Sequence, residues 1–228
     1  MIGWLERFIP GPSAMGYKEL FRACFGVFLG LSGTAWISTM AMGDVTGSLL
    51  LIAPMGASAI LIFAVPASPL AQPWPVVGGH LVAALVGVTT AHLISTPLLA
   101  APLAVALSLG FMSLLRCVHP PSGAIALIAV LGGPKILELG YSFALVPVLL
   151  NSLLLTATAL MYNNLSGRSY PHSAHGLPQP VTPTLSLTRD DIDTALKAYG
   201  ETLDIDPKDL EGLVQGLVAQ ANKPNRAP

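Results

Sequence analysis

His119, Pro120, Pro121 and Ser122 follow closely on Arg116 and open an apolar run that ends at Gly133-Pro134. An imidazole can donate or accept a hydrogen bond and changes charge near neutral pH. The hydroxyl beside it adds a second donor, and a guanidinium nearby attracts anions. Proline inside a helix removes a hydrogen bond, but at the first helical position it costs nothing. Pro121 is therefore expected to start a helix, with Ser122 and Gly123 small enough to leave its first N–H groups open. Such a helix start carries partial positive charge and suits an anion.

A second stretch has the same character. "PMGASAIL" begins at Pro54 and "PSGAIALI" begins at Pro121, 67 residues later, so that Gly56 aligns with Gly123 and Ala57 with Ala124. Pro54 is expected to start a helix in the same way, with Gly56, Ala57 and Ser58 beside its free N–H groups. Two such starts, facing each other in the bilayer, would attract a small monovalent anion without a buried lysine. The candidate substrate site is thus Pro54, Gly56, Ala57, Ser58, Arg116, His119, Pro120, Pro121, Ser122 and Gly123. Competing roles stand beside each of these. Small residues in membrane helices allow close packing, and Arg116 can snorkel to an interface. His119 can donate to an anion, carry a proton, or satisfy a carbonyl of the fold. Asn151 and Asn163, in and at the end of the last apolar segment, could add side-chain donors to the site, but are expected to hydrogen-bond between helices.

Other reactive residues do not assemble. His80, in "GGH", is expected to pack against the second apolar segment; His92 lies twelve residues on, about 18 Å along one helix, too far to share a metal. Cys24 and Cys117 have no metal-ligand spacing and act as small apolar residues. Only Cys117 and His119 approach a catalytic pairing, and no third group orients them. Neither an enzyme, a metal nor a cofactor is expected.

The elements that must position these residues are membrane helices. Of 228 residues, 53% are hydrophobic and 10% charged, whereas a soluble domain carries about a quarter charged residues. From Val45 to Leu115, a stretch of 71 residues, there is no Asp, Glu, Lys or Arg. A helical span needs about 20 apolar residues, so this interval alone holds several. The expected fold is all-α, a polytopic helical membrane protein embedded in a lipid bilayer. The net charge of −1 argues against a nucleic-acid partner.

Six apolar segments can be marked, at about 20–42, 49–65, 76–95, 97–115, 121–133 and 141–162. The first continues too far for a cleaved signal peptide. The second and fifth are short and proline-started. The pattern reads long-short-long twice, a possible 3+3 repeat, inverted if every segment crosses. Re-entrant short segments would instead leave four crossings. Trp4, Tyr17, Trp74, Tyr141 and Tyr162 fall near segment ends, where amphipathic rings favour the headgroup region. Arg7, Lys18 and Arg22 precede the first segment and Arg168 follows the last, so both termini are expected on the cytoplasmic side of the inner membrane.

Residues 1–166 form the expected transmembrane domain, 167–187 a Pro/Ser-rich linker and 188–228 a helical hairpin tail. Thr188 caps the first tail helix, whose first turn carries Asp190 and Asp191, and Asp206-Pro207 opens the second. Leu210, Leu213, Val214 and Leu217 form an apolar stripe too small to be a core, so the tail is expected to dock on the same tail of another subunit, giving a homo-oligomer, or on the inner face of the membrane domain.

"HPPSGA" at 119–124, "APMGASAILIFAVPASPLAQPW" at 53–74, "GGH" at 78–80, and "NSLLL" and "YNNL" within 151–165 resemble the HPP family of integral membrane proteins. That family takes its name from the tripeptide at His119-Pro120-Pro121. The resemblance implies four transmembrane helices and a transport function, with plastid and cyanobacterial relatives associated with nitrite. The chain is thus expected to be a transporter or channel for nitrite or a similar small inorganic anion. The alternative is a membrane-embedded sensor or scaffold that signals through the tail.

Overall fold

The computed structural model of the chain describes residues 15–42, 45–172, 189–199 and 207–221. Trp4, Arg7, Asp44, Thr188, Asp206 and the greater part of the expected linker lie outside them. Every regular element among the described residues is helical. Hydrocarbon offers backbone groups no partner, so a helix, which bonds its own, is the element such a chain must use. Helix α1 is Tyr17–Met42 and α2 is Val45–Ala64. A 3-10 turn at Pro69–Ala71 leads into α3, Pro73–Leu93, and α4 follows at Pro97–Leu114. The short α5, Ser122–Leu131, and α6, Pro134–Leu139, precede a kinked segment, Ala144–Leu149, that runs into α7, Leu150–Leu165. Proline opens α3, α4 and α6, where its missing N–H is no loss.

Four of these stretches are long and apolar enough to cross a membrane: Tyr17–Met40, Pro73–Leu93, Pro97–Leu114 and Ala144–Leu165. Ala53–Ala64 and Ser122–Leu131 are shorter apolar helices. Helix α3 is the hub, packed against α4, α5, α7 and the kinked segment, while α1 closes the bundle against α2 and α7. Gly26 and Gly30 allow that closure, because a Cβ at either would stand within 2.8 Å of the Phe63 ring.

Polar contacts gather one end of the bundle. Arg22, near the start of α1, donates to Asn163 Oδ1 at 2.9 Å and to the Phe63 carbonyl at 2.6 Å, and pairs with Glu19 at 2.6 Å. Arg168 reaches the other oxygen of Glu19 at 2.7 Å. The start of α1, the end of α2 and the end of α7 therefore share one end of the bundle. Asn163 joins helices, as its sequence position suggested.

One expectation changes here. Pro54 lies inside α2, which runs from Val45, so it does not start the helix and is not equivalent to Pro121. The first compact unit extends to His172; near its end Tyr170 is buried and donates to the Ala71 carbonyl at 2.7 Å, and His172 N–H donates to Gln72 Oε1. The second unit, described by itself, contains α8, Arg189–Tyr199, with Asp190 and Asp191 in its first turn, and α9, Pro207–Ala221.

Candidate functional site

The turn between α4 and α5 begins with an αL cap. The N–H of Cys117 bonds to Met112 O at 2.8 Å and that of Arg116 to Ser113 O at 3.2 Å, the paired bonds of a Schellman motif. Arg116 holds the left-handed position that usually falls to glycine, with φ at +55°. Its side chain is exposed, and the structure does not bring it to the other candidate residues. The chain then bends inward, so that Cys117 and His119 are fully buried.

Gly79 is what lets the turn come so close to α3. A Cβ there would stand 2.8 Å from Cys117 O, 2.9 Å from His119 Cβ and 2.9 Å from Ser122 Oγ. The "GGH" motif is thus a bare patch of helix on which the turn lies, followed at once by the histidine that meets it.

Four side chains from three helices and this turn form one hydrogen-bonded chain. His119 Nδ1 lies 2.8 Å from the Leu70 carbonyl, and because a carbonyl only accepts, that nitrogen carries the hydrogen. His119 Nε2 lies 2.9 Å from Ser58 Oγ on α2. Ser58 Oγ lies 3.0 Å from His80 Nε2 on α3, and His80 Nδ1 lies 2.7 Å from Ser152 Oγ on α7. The two imidazoles meet edge to face, their centroids 4.9 Å apart. All four residues have zero exposure.

The ten candidate residues are thus divided. Ser58, His119 and Ser122 are buried, and the first two touch directly. Pro54 is buried, and its carbonyl lies 3.2 Å from Ser58 Oγ. Gly56, Pro121 and Gly123 are half-buried, while Ala57, Pro120 and Arg116 are exposed. Nor are the first N–H groups of α5 open: those of Ser122, Gly123 and Ala124 donate to the carbonyls of His119, Pro120 and Pro121. What remains free for a ligand is side-chain chemistry. Ser122 Oγ and Asn151 Nδ2 are buried without a partner, although Asn151 Oδ1 accepts from Ser38 on α1.

Two members of the chain were not among the candidates. His80 was expected only to pack against the second segment, which it does, through a hydrogen bond. Ser152 lies in the quoted "NSLLL" stretch, but it is one of three serine or threonine residues in α7, with Thr156 and Thr158, and nothing local singles it out. Among the described residues no group of three or more His, Cys, Asp or Glu is placed to hold a metal ion.

Residues 12–171 match the family described as HPP, transmembrane region. Two curated relatives from Dictyostelium discoideum, both described as transmembrane proteins, are 43% identical over 127 residues and 40% identical over 129. Each alignment covers 54% of this chain, but 44% of the first relative and 41% of the second, so the chain spans less than half the length of these relatives. No solved structure matches.

Proposed function

The chain belongs to the HPP transmembrane family, and from that premise we propose that it is a carrier for a small monovalent anion, nitrite before others. The observation that carries this reading is the His119–Ser58–His80–Ser152 chain, fully buried in an apolar bundle. Ionisable groups inside a membrane protein are expensive and mark ion paths or proton relays. A scaffold held together by packing has no need of two buried imidazoles.

The site differs from a pair of facing helix starts. Its ligand groups are the hydroxyls and imidazoles at the meeting point of α2, α3, α5 and α7, with Ser122 Oγ as a free donor. Complete burial favours an occluded carrier over an open channel. The arginine-bearing end of the bundle, with Arg22 and Arg168, faces the cytoplasm in this reading, by the positive-inside rule.

Purified protein in liposomes tests it. Uptake of nitrite, nitrate, formate and chloride is compared with protein-free vesicles, and nitrite uptake should rise clearly above that background. Uptake absent for all four anions overturns the proposal and leaves the scaffold that signals through its tail.

A further inference from the structure

Followed from its fixed end, the buried chain has one proton order when both rings are neutral. With the hydrogen of His119 on Nδ1, its Nε2 is bare and takes the hydroxyl hydrogen of Ser58. Ser58 Oγ must then accept from His80 Nε2–H. That leaves His80 Nδ1 bare, to accept from the Ser152 hydroxyl. In this order two nearby carbonyls go without those hydroxyl hydrogens: Pro54 O, 3.2 Å from Ser58 Oγ, and Val148 O, 2.7 Å from Ser152 Oγ.

One added proton fits at either ring. On His80 Nδ1 it donates to Ser152 Oγ, and the Ser152 hydroxyl turns to Val148 O. On His119 Nε2 it donates to Ser58 Oγ, and the Ser58 hydroxyl turns to Pro54 O. Every donor keeps an acceptor in both cases, and Ser58 can relay the charge by giving its hydrogen to His119 Nε2 while taking that of His80 Nε2, which leaves His80 neutral with its hydrogen on Nδ1.

The added charge has no counter-charge bonded to it among the described residues. Around it, α2 contributes Ser58, α3 His80, α5 Ser122 and α7 Ser152. The Pro69–Ala71 turn contributes the Leu70 carbonyl, and the turn after α4 a buried Cys117 thiol and an exposed Arg116. Among the described residues no carboxylate or guanidinium is bonded to the chain. A buried cation without a partner is strongly disfavoured. The unmet polar group beside it, Ser122 Oγ, can donate a hydrogen bond. Ser122 Oγ and His119 crowd the same point above Gly79.

We infer that one proton on the His80–Ser58–His119 chain and one monovalent anion against Ser122 Oγ occupy this site together, so that the protein moves them as an electroneutral pair. Neutral chain, proton and anion combine to a protonated chain paired with the anion, and no net charge is added to the bundle. This deepens, and rests on, the transport reading above.

Two measurements on the full chain test it. In liposomes containing a pH-sensitive dye, with the membrane potential clamped, nitrite uptake should carry one proton per nitrite beyond what protein-free vesicles lose to diffusion of the neutral acid. The rate should not respond to an imposed potential. Uptake that follows the potential without protons overturns this inference and leaves transport standing; silence for nitrite, nitrate, formate and chloride alike overturns both. The second is nitrogen NMR of histidine-labelled protein in lipid nanodiscs, with signals assigned through His80→Gln and His119→Gln. At alkaline pH the rings should be opposite tautomers, His119 protonated at Nδ1 and His80 at Nε2. Adding nitrite at mildly acidic pH should protonate the bare nitrogen of one ring. Identical tautomers, or no response to nitrite, overturn the inference.

Discussion

Ser58 Oγ and His119 Nε2 lie 2.9 Å apart although 61 residues separate them in the chain, and Ser58 is the one atom bridge between the two buried imidazoles. Replacing the hydroxyl with a methyl breaks both contacts at once and leaves two ring nitrogens facing each other in an apolar interior. Ser58→Ala should cost about 1–2 kcal/mol of stability and reduce nitrite uptake to the protein-free background while insertion stays normal. Thermal unfolding in detergent and vesicle uptake check the two parts separately. Uptake preserved in Ser58→Ala would remove the bridge from the mechanism.

Gly79 tests whether the turn must lie flush on α3. Gly79→Ala forces a methyl to within 2.9 Å of Cys117 O, His119 Cβ and Ser122 Oγ, two of them on the candidate site. Overpacking of this kind costs about 1–3 kcal/mol, and the turn should shift, so uptake should fall with stability. Gly110, in the middle of α4, has nothing within 4 Å of its would-be Cβ. Gly110→Ala should hold or raise stability by about 0.5–1 kcal/mol. Equal melting shifts in the two variants would contradict the packing described.

Arg22 holds three helix ends through a single guanidinium, bonded to Glu19, Asn163 and the Phe63 carbonyl. Arg22→Leu leaves Asn163 Oδ1 and Phe63 O without that donor and Glu19 with Arg168 alone. A loss of about 3 kcal/mol is expected, within the range for breaking a buried pair. Arg22→Lys should fall between, because an ammonium on a flexible stem cannot span the same fork. Melting curves of the three proteins should keep that order.

Cys117 reports on the turn from outside the hydrogen-bonded chain. It is fully buried, and burial pushes its thiol above the usual range. The thiolate is the reactive form, so in a Cys24→Ser background maleimide should label Cys117 slowly at neutral pH and faster as the pH rises. Labelling as fast as in the unfolded chain would show that the turn is open in the resting protein.

The membrane class was legible from the uncharged interval between Val45 and Leu115, because hydrophobic content and span length are properties of composition. His119 was legible as well, since an ionisable residue beside two prolines in an apolar run is a local anomaly. Pro54 misled, because a helix in lipid can continue through a proline: the missing bond costs less than ending the helix without partners. His80 announced itself only through the two glycines before it, which mark close approach but not what approaches. Ser152 stood inside the quoted "NSLLL" stretch, but its partner could not be read there, because the contact depends on α7 passing α3 at one height, a fact of tertiary packing. The αL position of Arg116 was hidden for a related reason, since its sequence neighbours gave it the look of an anion guide.

Leu70 and Ala71 present consecutive carbonyls, the first to His119 and the second to the hydroxyl of Tyr170. One short turn thereby serves as the anchor for the relay and as the fastening for the segment that leaves the bundle. A pull on Tyr170 is a pull on the terminal acceptor of the relay, one peptide unit away. The last buried residue of the membrane unit and a buried imidazole are thus held by neighbouring carbonyls of one turn.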